Sequence, residues 1–204
     1  MGDQKRIRRD PEAARQLILD AAAAVIAELG PDRATLTAVA RRAGISHGLI
    51  THYFGTQRAL VEHVFEQRMT ALRHTVIEQM LERGGIEDLR ALVATVINEI
   101  QAPESGRLIA WAFLSGAAAR SDFFARENRG MEQIADVAST LVKAGEAQRD
   151  TIERLMILIW CAAVAYAGAS DVLWPALGRE ASAERDDAFA EMLQRMVERE
   201  LEST

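Results

Sequence analysis

Thr35–Phe54, TLTAVARRAGISHGLITHYF, holds two short helical patterns separated by Ala43-Gly44-Ile45-Ser46. In the first, around residues 37–42, Leu36, Val39 and Ala40 share a face; the second starts at Ser46 and carries Leu49 and Ile50. Gly44 suits a tight turn, because a positive φ costs glycine little and a residue with a Cβ much more. Ser46 stands where its hydroxyl accepts a hydrogen bond from an otherwise unpaired amide of the second helix's first turn. Two short helices joined by a glycine-containing turn make a helix-turn-helix, whose second helix lies in the DNA major groove.

Outward from this pair, the N-terminal side reads as one longer helix, Pro11 to Leu29. Proline fits a first turn, and Leu17, Ile18, Ala21, Ala22, Val25, Ile26 and Leu29 recur at helical spacing until Gly30-Pro31 stops the pattern. Before it lies a basic arm with Lys5, Arg6, Arg8 and Arg9. Residues 1–60 hold nine Lys/Arg against six Asp/Glu, a balance of +3, whereas residues 61–204 hold fifteen against twenty-four, −9, within a net charge of −6. Positive charge is therefore concentrated at the reading end, which favours approach to phosphate.

Beyond Gly55-Thr56, with Thr56 as cap, the chain reads as an all-α body, for about nine helices in total and no β pattern. The division expected is a helix-turn-helix domain at 11–56 and a helical ligand-binding and dimerisation domain at 57–204. The fourth helix, about Gln57 to Leu81, puts Val61, Val64, Phe65, Met69, Leu72, Val76 and Met80 on one half and His63, Gln67, Thr70 and His74 on the other. Arg68 falls inside the apolar half, where an unpaired guanidinium is costly, so it either pairs with an acid of a neighbouring helix or faces a polar cavity. Helix five is expected over 87–101 and helix six, apolar nearly all round and deeply buried, over 107–120, after a turn marked by Pro103 and Gly106. Helix seven is drawn from Ser121 or Asp122 to Ala144. Phe123, Phe124, Asn128, Met131 and Ile134 beside Arg126, Glu127 and Arg129 suit either a cavity wall or a core helix with a charged outer face. Helix eight, from about 150 into Val172-Leu173-Trp174, and helix nine, from about Ser182, carry more apolar surface than one subunit needs, which suggests a four-helix interface with a second copy.

The single cysteine, Cys161, excludes an internal disulfide and, in the setting IWCAAV, reads as a small buried core residue. The run Leu155–Ser170 is uncharged but only 16 residues long, short of the roughly 20 that span a bilayer, so a buried helix is expected, with no membrane partner. The N-terminus has no apolar signal region, which implies a cytoplasmic protein. No phosphate loop, nucleophile elbow, HExxH or other catalytic constellation occurs, the histidines of helix four lack converging carboxylates for a metal site, and no cofactor is implied.

The chemistry of the head assigns contacts. Thr37 opens the first helix of the pair, where a hydroxyl and free amides hold phosphate, and Arg41 and Arg42 end it. Ser46, His47, Gly48, Leu49 and Thr51 lie nearest base edges, with Gly48 allowing close approach; His52 and Tyr53 reach phosphates. Residues 14–65, through LILDAAAAVIAELG, Thr37, Ala40, Ala43-Gly44-Ile45-Ser46, Gly48, Tyr53-Phe54 and Leu60, resemble the DNA-binding head of the TetR family of bacterial transcriptional regulators. Thr51 stands where that family usually has tyrosine, and Gln57 where it usually has a phosphate-binding lysine. The resemblance implies a nine-helix homodimer, joined through its two C-terminal helices, that binds a palindromic double-stranded DNA operator. It implies further that a largely apolar small-molecule effector enters the body and releases DNA, with helix four as the link; the protein is then a repressor and not an enzyme. Candidate effector contacts within that scheme are Arg68, Leu72, Val93, Ile97, Trp111, Asn128, Met131 and Trp160. The alternative is an architectural or activating DNA-binding protein without a ligand.

Overall fold

The structure is a computed structural model that describes residues 10–83, 95–100, 102–124, 129–141 and 144–202. Among them there are nine α-helical segments and no strand: α1 Pro11–Leu29, α2 Leu36–Ala43, α3 His47–Phe54, α4 Gln57–Arg83, α5 residues 95–100, α6 Pro103–Leu114, α7 Gly130–Leu141, α8 Glu146–Ala176 and α9 Ala183–Glu202. Short 3-10 turns follow α1 and α6. The basic arm and most of the expected fifth helix lie outside the described residues.

Two compact units divide the chain, Met1–Gln67 and Arg68–Thr204. In the first, α1 begins at Pro11 because Asp10 Oδ1 accepts from the amides of Glu12 and Ala13 at 3.0 and 3.2 Å. Ile18, Ala22, Val25 and Ile26 of α1 are buried with Val39 and Ala40 of α2 and Ile50 and Phe54 of α3. The opening turns of α4 add Leu60, Val61, Val64 and Phe65 to the buried set, as their spacing requires.

The second unit packs α6, α7 and α9 against α8. Met69, Leu72, Val76 and Met80, the rest of the apolar half read from α4, are all buried. Three expectations change here. Pro103 opens α6 instead of marking a turn, its fixed φ and missing N–H suiting the first helical position. That helix stops at Leu114, and although Leu108, Ile109 and Ala112 are buried, Phe113 and Leu114 are 45% and 91% exposed, so it is not buried all round. Residues 121–124 form a turn, Ser121 Oγ accepting from the Phe124 amide at 3.3 Å, and α7 starts only at Gly130.

α8 is long and apolar enough to cross a membrane by length and composition, yet only 28% of its most apolar window is buried. One edge, with Ile152, Leu155, Ile159, Trp160, Ala163 and Tyr166, faces the core; Ile157, Leu158, Val172 and Leu173 are exposed. Cys161 belongs to the exposed set and is not the core residue expected, because the apolar run is wider than the stripe one subunit covers. α8 and α9 are tied by a polar knot: Tyr166 donates to Asp186 Oδ1 at 2.7 Å, Trp174 Nε1 donates to the Tyr166 hydroxyl at 2.9 Å, and the Tyr166 ring stacks on Phe189 with centroids 3.9 Å apart.

Candidate functional site

The helix-turn-helix forms by local chemistry. Thr35 Oγ1 accepts from the Ala38 amide at 3.2 Å and starts α2. Gly44, at φ 67°, ends it in the left-handed region. Ser46 Oγ then accepts from the Leu49 amide at 3.3 Å and starts α3, the capping role read from the sequence. Ile50 and Phe54 anchor α3 in the core, which leaves Ser46, His47, Gly48, Thr51 and His52 exposed along one side, with Leu49 and Tyr53 half-buried beside them. A Cβ at Gly48 would meet nothing within 4 Å, so the surface there is open. Thr37 is exposed in the first turn of α2, and Arg41 is exposed near its end. Arg42 forms an ion pair with Glu28 of α1, so part of its charge is spent inside the head. Sequence reasoning missed Thr35 as the cap, although a threonine three residues before Ala38 is the ordinary signal for one.

Both departures from the family pattern have an internal use. Gln57 Nε2 donates to Asp32 O at 2.9 Å and Pro31 O at 3.4 Å, bracing the turn between α1 and α2. Thr51 Oγ1 donates to the His47 carbonyl at 3.1 Å and lies 3.4 Å from His47 Nδ1. Thr56 caps α4 through the Ala59 amide at 3.1 Å.

In the body, a cavity of about 80 Å³ is walled by Leu72, Val76 and Met80 of α4, Val96 of α5, Phe123 of the turn at 121–124, Ile134 and Ala138 of α7, Ile152, Leu155, Met156, Ile159 and Trp160 of α8, and Val197 and Leu201 of α9. Every one of these side chains is apolar or aromatic. Phe123, Phe124 and Trp160 meet edge to face at 4.7–5.6 Å between centroids and stiffen one part of the wall.

Of the eight residues nominated as effector contacts, Leu72 and Trp160 stand on that wall. Val93 and Asn128 lie outside the described residues. Ile97 is fully buried but off the wall, and Trp111 and Met131 are half-buried and off it as well. Arg68 takes the first of its two expected arrangements: Nε lies 2.9 Å from Glu99 Oε1 and donates to Ser105 Oγ at 3.0 Å, while that buried hydroxyl donates to Glu99 at 3.0 Å. The three groups satisfy one another away from the cavity wall. The wall residues the sequence left out, such as Val76, Ile152, Leu155 and Val197, all sit on apolar helix faces; periodicity marks them as inward without saying which inward residues border free space.

Comparison with known proteins agrees with this geometry. Residues 18–64 match the sequence profile of the bacterial regulatory proteins of the tetR family. The HTH-type transcriptional regulators BetI of Escherichia coli K12 and of Escherichia coli O139:H28 are each 35% identical over 100 residues, 48% of this chain and 51% of theirs, so the chain spans about half the length of the curated relatives it matches. Among solved structures, the fatty acid degradation regulator FadR from Bacillus halodurans superposes with a TM-score of 0.60 at 16% identity, over 90% of this chain and 97% of its own. A TetR-like transcriptional regulator from Rhodococcus sp. RHA1 does so with 0.58 at 21%, over 93% and 96%. These structural likenesses concern the fold, and the profile match covers the helix-turn-helix. The capped, glycine-turned helix pair lies within the residues that match this profile, so the head of the chain is similar to the DNA-binding head of the tetR family of bacterial regulatory proteins.

Proposed function

We propose that this protein is a ligand-responsive transcriptional repressor that binds a palindromic operator as a homodimer and leaves it when an apolar effector enters the body. The observation that carries the reading is the open side of α3, where Ser46, His47, Gly48, Leu49 and Thr51 present short or groove-sized side chains to base edges. Thr37, Arg41, His52 and Tyr53 flank it as phosphate contacts, with Arg42 sharing its charge with Glu28.

A second copy accounts for the exposed apolar residues of the last two helices, Ile157, Leu158, Val172 and Leu173 of α8 and Met192 and Met196 of α9. Burial of such a patch favours association, and ionic neighbours such as Arg154–Asp150 and Arg195–Glu191 suit the rim of a protein interface better than a lipid surface. The dimer would set two α3 helices about one DNA turn, ~34–36 Å, apart. Acting on DNA places the protein in the cytoplasm.

The cavity supports an effector held by apolar burial, with Leu72 and Trp160 among its contacts. At about 80 Å³ it is smaller than the ~300–1,000 Å³ of typical ligand sites, so the effector is small or parts the walls. A preference of about 1–3 kcal/mol for the non-binding state changes operator occupancy roughly 5- to 150-fold. Selection from random duplex DNA, repeated with apolar metabolites and with a vehicle control, tests the proposal. A palindromic motif lost with one metabolite supports it; recovery of no motif refutes DNA reading, and a motif indifferent to every metabolite favours the ligand-free alternative.

A further inference from the structure

The sequence of α3, HGLITHYF, contains no Arg, Lys, Asn or Gln. The two common bidentate pairings, Arg or Lys with guanine and Asn or Gln with adenine, therefore cannot come from this helix. The polar side chains on its exposed side are His47, Thr51 and His52. His47 and Thr51 are one turn apart and so share a face.

Thr51 Oγ1 donates to the His47 carbonyl at 3.1 Å, the back-bond that a helical threonine makes to the residue four before it. The same oxygen lies 3.4 Å from His47 Nδ1. A hydroxyl has a single hydrogen, and here the carbonyl takes it. Toward the ring the hydroxyl can then only accept, so Nδ1 is the nitrogen that carries hydrogen. In a neutral imidazole the other nitrogen keeps its lone pair, which leaves Nε2 an acceptor on an exposed side chain.

We propose that His47 reads a base through Nε2, accepting a hydrogen bond from the exocyclic amino group of adenine or cytosine in the major groove, and that Thr51 is the positioning residue that fixes this choice. Adenine N6 and cytosine N4 are the amino donors of that groove, whereas guanine offers O6 and N7 and thymine offers O4, all acceptors. Every base pair contains one amino donor, so the contact distinguishes which strand carries it. A tyrosine at 51 has its hydroxyl at the far end of a ring and could not hold Nδ1 this way, which gives the departure from the family pattern a consequence for specificity.

The inference rests on the DNA-reading function proposed above. Its test is selection of operator sequence from random duplexes with the full chain, His47→Ala and Thr51→Val, near neutral pH, with melting curves to confirm that both exposed substitutions leave the fold intact. Expected are adenine or cytosine at one symmetry-related pair of positions in the wild-type motif, loss of that preference alone in His47→Ala, and a roughly two- to twelvefold loss of discrimination against guanine and thymine there in Thr51→Val, the worth of one net hydrogen bond. Wild type should lose a similar factor on a duplex whose selected base lacks its amino group, and His47→Ala should lose nothing. Guanine or thymine at those positions, or a motif unchanged by His47→Ala, overturns this inference alone; a wild-type protein that selects no motif overturns it together with the DNA-reading function.

Discussion

Replacing Gln57 by lysine is expected to change two quantities in opposite directions. The Gln57 amide braces the head through Asp32 O at 2.9 Å and Pro31 O at 3.4 Å, where the resemblance implies a phosphate-binding lysine. Losing those bonds should cost about 1 kcal/mol of head stability, the net worth of a typical intramolecular hydrogen bond with the weaker 3.4 Å contact adding little. A lysine free to reach phosphate adds one contact per subunit and two per dimer. With a slope of about −0.9 per neutralised phosphate, log K against log salt steepens by about 1.8, so raising salt from about 50 to about 200 mM costs roughly twelvefold more affinity than in wild type. The assay is a salt titration of operator binding beside thermal denaturation, with Gln57→Leu as a control that removes the brace and adds no charge. Gln57→Leu should melt earlier with an unchanged slope. A lysine variant with the wild-type slope would refute the phosphate argument, and a leucine variant with wild-type melting would refute the brace.

Other substitutions probe the remaining parts. Gly48→Glu should abolish specific operator binding in a gel shift while sedimentation still shows a dimer, since a Cβ there meets nothing within 4 Å and the change reaches only the reading surface; retained binding would reject α3 as the reader. Gly106→Ala should destabilise the body by about 1–3 kcal/mol, as its Cβ would lie 2.6 Å from both Ala167 Cβ and the Ile100 carbonyl oxygen, and unchanged calorimetric melting would show that α6 and α8 separate freely. Ile157→Glu, on the exposed edge of α8, should give a monomer by sedimentation, and an undisturbed dimer would place the interface elsewhere. Tyr166→Phe keeps the stacking on Phe189 but removes the hydroxyl that joins Trp174 to Asp186, for an expected loss of about 1–3 kcal/mol. Burial, reinforced by Asp186, raises the Tyr166 pKa above the ordinary tyrosine value despite the opposing bond from Trp174. Its contribution is thus fully present below that value and lost as pH rises through the folded-state pKa, so Tyr166→Phe should show a shallower alkaline fall in melting temperature than wild type.

What could be read from the sequence depended on how local the determining interaction is. Asp10, Gly44, Ser46 and Thr56 act within three or four residues of themselves, and the helices they bound begin and end where composition and periodicity place them. Helix faces were legible for the same reason: the apolar half of α4 needs only the 3.6-residue repeat to be drawn, and all seven of its members are buried. Partners across helices were not. Arg68 is conspicuous on α4, but its resolution depends on Glu99 and Ser105 from two other segments, a convergence no repeat encodes. The cavity shows the same limit, since Leu72 stands on its wall and Ile97 does not although both are buried. Cys161 exposes a different one. Its apolar neighbourhood reads as burial in its own core, yet Cys161 is exposed beside Ile157 and Leu158, because a hydropathy pattern carries no label for whose surface covers an apolar residue. An apolar run wider than the stripe a helix can give to its own core is therefore a statement about a second surface, and here that width, more than any single residue of the body, is what argues for the homodimer.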